Sequence, residues 1–471
     1  MKQINKIYID GAFVTPHGTA TFDLISPVTN QVTGQVTLGD EEDTRRAIAA
    51  AKTAFRSFSK TTKAERITWL ERLRDAVAKR KDALTDIMVE EYGAPRQFCY
   101  FSVENAINGF AEAIETLKNV ELTRKIGRST VVLEPVGVVG IITPWNASNS
   151  FISNKLSTAI AAGCTVVIKP SEMSAGQTQV LLEALHEAGL PAGVFNVVNG
   201  LGDVVGAEIT RHPDIAKISF TGSTRVGKMI AKGAVDSMKR VTLELGGKSP
   251  NIILDDADLE KAIPMAVQAA FMNNGQACIA GTRLLVPADK LDEIKSLIKA
   301  QVDNLQVGDP SNPAINIGPL VNTRQYQRVQ DYIKLGIEQG ASLLAGGEGH
   351  PRGLEAGNFV KPTVFYNVTN DMRIAREEIF GPVLSIISYE TEEDAIRIAN
   401  DTDYGLMAYV SSRDTERANR VANQILAGRV QVNVLAHDPK APFGGFKQSG
   451  IGREYGVYGL EEYLEPKSII A

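Results

Sequence analysis

Apolar residues recur at three- and four-residue spacing through 41–58 (EEDTRRAIAAAKTAFRSF) and again through 64–93 (AERITWLERLRDAVAKRKDALTDIMVEEYG). That spacing marks helices with one buried stripe, and it predicts a helical region from about residue 40 to residue 118. Gly93 followed by Pro95 supplies the stop signal for the second run.

From residue 136 the pattern changes. Short, wholly apolar runs alternate with helical stretches of 10–15 residues: strands at 136–143 (VGVVGIIT), 164–169 (CTVVIK), 194–199, 216–222 and 240–247, and helices at 150–163 and 175–189. Continuous apolar strands separated by helices predict βαβ units and a parallel sheet covered on both faces. The expected fold class is therefore α/β, with a doubly wound first unit. The alternation restarts after Asn251, predicting a second α/β unit over about 248–433. No linker rich in Pro, Ser or charge separates the units, so a broad interface with a cleft is expected between them.

Composition narrows the function. The 471 residues carry 50 Lys and Arg against 55 Asp and Glu, a formal net charge of −5, which opposes a nucleic-acid footprint. The longest uncharged stretch, 135–154, is filled in its second half with Pro, Asn and Ser and reads as a strand entering a polar turn rather than a membrane span. Residues 1–13 show no apolar core or cleavage site of a leader. Cys99, Cys164 and Cys278 are widely spaced and odd in number, which fits a reducing cytoplasm and leaves room for one working thiol. The five His show no metal-ligand spacing, and no metal is expected.

Candidate chemistry gathers at strand ends. The Gly-rich fingerprint of a dinucleotide-binding first turn is missing from Thr143-Pro144-Trp145-Asn146, but an acid, Glu172, follows the second strand beside Lys169. Its carboxylate can accept from both hydroxyls of a ribose; the same pair is otherwise a solvated turn. Two Gly-rich loops, 200–206 and 222–227, follow strands and open helices, where free N–H groups can meet a pyrophosphate or merely make tight turns. Cys278 follows a helical run, and a thiol needs a base, a helix end or a cation to work as a nucleophile. Taken singly it reads as a small buried hydrophobe, as Cys99 and Cys164 do. Glu244, flanked by leucines and followed by Gly246-Gly247, is oddly placed for a solvated face. Glu378 reads on its own as an exposed acid near a turn.

Together these pieces resemble the aldehyde dehydrogenase superfamily over nearly the whole chain. The matching segments, in family order, are Pro144-Trp145-Asn146, Lys169-Pro170-Ser171-Glu172, Phe220-Thr221-Gly222-Ser223, Glu244-Leu245-Gly246-Gly247-Lys248, Asn274-Gly275-Gln276-Ala277-Cys278, Glu378-Ile379-Phe380-Gly381-Pro382 and 442–450 (PFGGFKQSG). The resemblance implies that Cys278 attacks an aldehyde and that Asn146 and the Cys278 N–H hold the oxyanion. Hydride passes to NAD, and Glu244 activates the water that hydrolyses the thioester. It implies that Lys169 and Glu172 hold the adenosine ribose, Ser223 the pyrophosphate and Glu378 the nicotinamide ribose, with Ser171, between Lys169 and Glu172, among the cofactor-binding residues. Trp145, Asn146, Gly202, Phe220, Thr221, Gly222, Val226, Gly227, Leu245 and Phe380 complete the cofactor cleft. Glu172 is expected to favour NAD over NADP without excluding the latter.

The resemblance further implies a Rossmann-like NAD-binding domain (1–117 and 136–247), a catalytic domain (248–433) and a small β arm with a C-terminal segment (118–135 and 434–471). Such arms add strands between subunits, so a homodimer or homotetramer is expected. The substrate tunnel departs from the aromatic lining of fatty-aldehyde members, with Asn154 where several relatives carry Trp, so no single aldehyde is named. Two other functions fit the same motifs: a CoA-acylating relative, opposed by Glu244, and a non-catalytic structural protein, opposed by the intact Cys278, Glu244 and Asn146.

Overall fold

Four sheets organise the computed structural model, which describes residues 2–470. The first large sheet has eight strands in the order Gly450–Ile451, Arg240–Glu244, Ile215–Thr221, Val138–Ile142, Thr165–Lys169, Phe195–Val197, Ile7–Ile9, Ala12–Val14. The five central strands are parallel, and antiparallel strands close both edges. The chain runs from Val138–Ile142 outward to Thr165–Lys169 and Phe195–Val197, then crosses back to Ile215–Thr221 and Arg240–Glu244. Strand order therefore reverses beside Val138–Ile142, the place where open α/β sheets bind ligands beyond the carboxyl ends of their strands.

Register brings the motifs to one edge. Ile142 pairs with Lys169 on one side and with Phe220 on the other, and Phe220 pairs with Leu243. The turns after these strands, beginning at Thr143, Pro170, Gly222 and Leu245, consequently leave the sheet at one level.

Helix Ser148–Ala162 follows the first of these turns and is buried on almost every face. Its C-terminal carbonyls are held by Arg66, whose Nη1 donates to Ala161 O and Ala162 O at 3.2 and 2.8 Å, a cation placed where the helix dipole favours one. Helix Arg96–Asn119 packs along it, closely enough that a Cβ at Gly109 would lie 2.0 Å from Asn154 Oδ1. The core beneath is aliphatic: Val139, Ile141, Leu156, Ile160, Val166 and Ile168 are fully buried, each contributing roughly 1.5–3 kcal/mol.

The second large sheet has seven strands, in the order Ser342–Ala345, Thr363–Tyr366, Val383–Tyr389, Arg283–Pro287, Pro250–Ile253, Met407–Ser411, Arg429–Val432, parallel except at the first. Only Leu245–Ser249 separates the last main strand of one sheet from the first of the other, so the two meet at that turn. A three-stranded sheet joins Thr123–Ile126, Ser129–Pro135 and Leu464–Ile470, and another joins Lys2–Ile4, Val32–Thr37 and Thr21–Ile25. No helix among the described residues is long and apolar enough to cross a membrane.

Three local expectations are corrected. The helical run 64–93 is two helices, Lys63–Lys79 and Lys81–Tyr92, parted at Arg80, where Lys-Arg-Lys-Asp leaves no apolar position to carry the stripe across. The strand expected through Gly247 ends at Glu244, freeing the turn. The helix before Cys278 ends at Phe271, because Asn273, Asn274 and Gly275 are all left-handed (φ 54, 58 and 70°).

Candidate active site

The turn Leu245–Lys248 is the hub of the site. Ser449 holds it: Oγ donates to Gly246 O at 2.7 Å, and Ser449 O accepts from Leu245 N at 2.9 Å. Neither glycine of the turn has room for a side chain. A Cβ on Gly246 would stand 2.6 Å from Glu378 Oε2, and one on Gly247 would stand 2.4 Å from the Cys278 carbonyl oxygen. Glu378 accepts from Gly247 N at 3.1 Å. The Gly-Gly pair thus packs the Glu378 loop and the Cys278 loop onto the end of the strand that carries Glu244.

Glu244 is 3% exposed, and neither carboxylate oxygen has a hydrogen-bond partner among the described residues. Burial raises its pKa well above the ordinary carboxylate range, and Glu454 nearby adds to the rise; Lys155, Arg453 and Arg429 oppose it. A carboxyl raised in this way is, once ionised, a stronger base than a free one. Behind it, Lys155 Nζ bonds Ser219 Oγ at 3.0 Å and pairs with Glu454.

Cys278 is partly buried, whereas Cys99 and Cys164 are fully buried. Desolvation pushes the Cys278 thiol up to about 12, with Glu378 and then Glu244 adding repulsion. The thiol is therefore protonated at neutral pH, and attack requires that its proton be accepted by a base. Asn146 is 6% exposed and lies against the same loop, its Nδ2 donating to Gln276 O at 3.0 Å. One amide hydrogen is spent there, leaving the second.

The Glu378 loop is clamped from helix Thr323–Glu338. Arg328 Nη2 donates to Glu378 O at 2.6 Å, and Gln325 Nε2 donates to Phe380 O at 2.7 Å, holding Phe380 at φ 64°. Phe380 then meets Trp145 edge-on at 5.5 Å. Burial pushes the Glu378 carboxyl up to about 6, against the opposing pull of the Gly247 N–H, Arg328 and Lys248. A cleft of about 1030 Å³ opens between Trp145, Met173 and this helix.

At the other strand ends, Lys169 is buried, and its ammonium donates to Pro170 O (2.7 Å), Gly200 O (2.8 Å) and Glu172 Oε2 (3.4 Å). Its donors thus brace the turn and orient Glu172, which is partly exposed. Ser171 caps the short turn Glu172–Ser174 by accepting from Met173 N at 3.3 Å. Phe220 is buried, Thr221 Oγ1 is buried without a partner among the described residues, and a Cβ at Gly222 would stand 2.4 Å from the tip of the Phe220 ring. Ser223 caps helix Thr224–Val235, accepting from Val226 N at 3.4 Å. Gly227 lets that helix approach Leu245, whose Cδ2 would lie 2.4 Å from a Cβ there. Gly202 begins a wide turn, Gly202–Gly206, with nothing within 4 Å of where its Cβ would be. Sequence reasoning overlooked Tyr92, Asn273, Arg328 and Gln325; Tyr92 hides as one more apolar position at a helix end.

A family model described as the aldehyde dehydrogenase family matches residues 13–469. A 3-succinoylsemialdehyde-pyridine dehydrogenase from a Pseudomonas species is 46% identical over 472 residues, covering 100% of this chain and 99% of that protein. The crystal structure of a mutant aldehyde dehydrogenase C from Pseudomonas syringae, complexed with NAD+ and octanal, is similar with a TM-score of 0.98 at 45% identity. That match covers 99% of this chain and 96% of the other. Betaine aldehyde dehydrogenase from Staphylococcus aureus, complexed with NAD+, is similar with a TM-score of 0.96 at 36% identity, over 99% of this chain and 94% of the other.

Proposed function

The chain belongs to the aldehyde dehydrogenase family, and from that premise we propose the residue roles by which it oxidises an aldehyde to the carboxylic acid with NAD. The observation that carries the assignment is the Gly246-Gly247 turn, which packs the Glu378 and Cys278 loops onto the strand end that presents an unpartnered, buried Glu244.

The strand ends fit a dinucleotide. Glu172, oriented by Lys169, accepts from a ribose; Ser171 shapes that turn; the buried, unpartnered Thr221 hydroxyl and the Gly222 backbone face the phosphates beside Ser223. Gly202 borders them, while Phe220, Val226, Gly227 and Leu245 form the floor. Glu378 holds the second ribose, with Trp145 and Phe380 on the nicotinamide side. When bound, NAD supplies the acceptor for the hydride that the aldehyde carbon gives up.

The protein's own groups do the rest. Cys278 gives its proton to solvent water as Sγ bonds the aldehyde carbon. The free amide hydrogen of Asn146 and the Cys278 N–H hold the resulting oxyanion, whose charge develops only as the bond forms. Loss of hydride leaves a thioester on Sγ. Glu244 then removes a proton from water attacking the thioester carbon, the C–S bond breaks, and the acid and the thiol are released. A CoA-acylating enzyme needs no such carboxylate.

The partition into an NAD-binding domain, a catalytic domain and a β arm follows the two large sheets and the sheet of Thr123–Ile126, Ser129–Pro135 and Leu464–Ile470. The exposed Ile126, Ile469 and Ile470 on that arm support a homodimer or homotetramer, and three unpaired thiols support a cytoplasmic setting. The test is Cys278→Ala: NADH formation from an aldehyde panel should vanish while NAD binding persists. Turnover in that variant would remove Cys278 from the chemistry.

A further inference from the structure

Helix Lys81–Tyr92 lies outside both large sheets, yet its last two residues and the glycine that stops it each reach a different part of the site. The Glu91 carboxylate accepts from Gly176 N at 2.7 Å and Gln177 N at 3.0 Å, tying down the helix that begins just after the Lys169–Glu172 turn. The Gly93 carbonyl accepts from Asn274 Nδ2 at 3.2 Å. Between them, the Tyr92 hydroxyl donates to Asn273 Oδ1 at 2.8 Å and accepts from Gln276 Nε2 at 3.1 Å.

Those two partners fix the geometry of the chemistry. Asn273 Nδ2 donates to Asn146 O at 3.1 Å and to Gln276 O at 3.0 Å, the same carbonyl that receives Asn146 Nδ2. Gln276 Oε1 accepts from Val321 N at 3.1 Å. One phenol is therefore a single residue removed from the backbone of Asn146 and two positions removed from Cys278. The loop it holds is a costly one, since two consecutive non-glycine residues in left-handed conformation persist only where the surroundings over-determine them. The Tyr92 ring also packs on Trp145, 5.6 Å between centroids. Tyr92 is 1% exposed, so its hydroxyl has no water to fall back on.

We propose that Tyr92 is a positioning residue that sets the relative placement of the Asn146 amide and the Cys278 thiol by pinning residues 273–276 through its hydroxyl. The proposal rests on the reading of Asn146 and Cys278 as oxyanion donor and nucleophile. Burial raises the phenol well above its ordinary value, so it stays a donor throughout the working pH range. It takes no part in proton transfer.

The experiment is a cycle of Tyr92→Phe and Asn146→Ala. Tyr92→Phe keeps the ring and its packing on Trp145 but strands Asn273 Oδ1 and Gln276 Nε2. Its kcat should fall by about ten- to a hundred-fold, as sub-ångström misplacement of reacting groups does, with KM for NAD unchanged. In the Asn146→Ala background the same substitution should cost much less, because the group it positions is already gone. An unchanged kcat in Tyr92→Phe, or an equal fold-loss in both backgrounds, would overturn the proposal. Gln276→Met breaks the bond from the other side and gives the same comparison if Tyr92→Phe does not fold. Residual turnover in Cys278→Ala would instead overturn the catalytic reading, whatever Tyr92 does.

Discussion

Replacing Gly247 with alanine adds one methyl group at the point where the Glu244 strand meets the nucleophile loop. Its φ lies outside the left-handed region, so alanine can take the backbone without strain and the whole effect is contact. The new Cβ would sit 2.4 Å from the Cys278 carbonyl oxygen, with Leu406 Cβ already 3.4 Å away to limit its retreat. A carbon–oxygen contact settles near 3.3–3.6 Å, so the Cys278 backbone must move by about 1 Å. A displacement of that size at the reacting atom costs roughly a hundred-fold in rate, or about 2.7 kcal/mol of transition-state stabilisation. Overpacking should also cost about 1–3 kcal/mol of folding stability. Steady-state NADH formation should therefore show a kcat lowered by roughly two orders of magnitude with NAD affinity retained. Gly246→Ala is the control: its Cβ meets the movable Glu378 carboxylate rather than backbone, so KM for NAD should rise more than kcat falls. A folded Gly247→Ala enzyme with wild-type kcat would show that the turn does not position the thiol.

Cofactor choice turns on Glu172, whose carboxylate, partly exposed and 3.4 Å from the Lys169 ammonium, would face a 2′-phosphate. After screening, that repulsion is on the order of 2 kcal/mol, so kcat/KM should favour NAD clearly, and Glu172→Ser should relax the preference; equal values in the unmutated enzyme would place Glu172 away from the ribose. The Glu378 carboxyl, raised to about 6 by burial, must be ionised to accept from ribose hydroxyls. Because protonation removes those acceptors, kcat/KM for NAD should fall as pH drops through about 6 and level off above it, and Glu378→Gln should lose this limb. A limb unchanged in that variant would belong to another group.

The central parallel strands were legible because burial on both faces writes them as unbroken apolar runs, such as VGVVGII and TVVIK. The strands Lys2–Ile4, Ile7–Ile9 and Ala12–Val14 were not, since three residues carry no period. Of the site, Glu244 stood out as an acid between leucines, and its Gly-Gly neighbours now have a physical reason in the two loops they back onto. The left-handed Asn273-Asn274 corner was invisible, because the helical spacing runs smoothly into it and only long-range amide bonds to Tyr92, Gly93 and Pro319 pay for the turn. Tyr92 and Arg328 act through contacts 181 and 50 residues away, which no local pattern encodes.

In the proposed mechanism the acyl group rides on Cys278 and Glu244 releases it. Glu244→Gln should still transfer hydride but hydrolyse slowly, so mixing it with NAD and aldehyde and quenching should trap the thioester. Mass spectrometry of the digested protein should then find the acyl group on the peptide containing Cys278, in step with a burst of one NADH per active site. A burst without an adduct, or an adduct on Cys99 or Cys164, would contradict it.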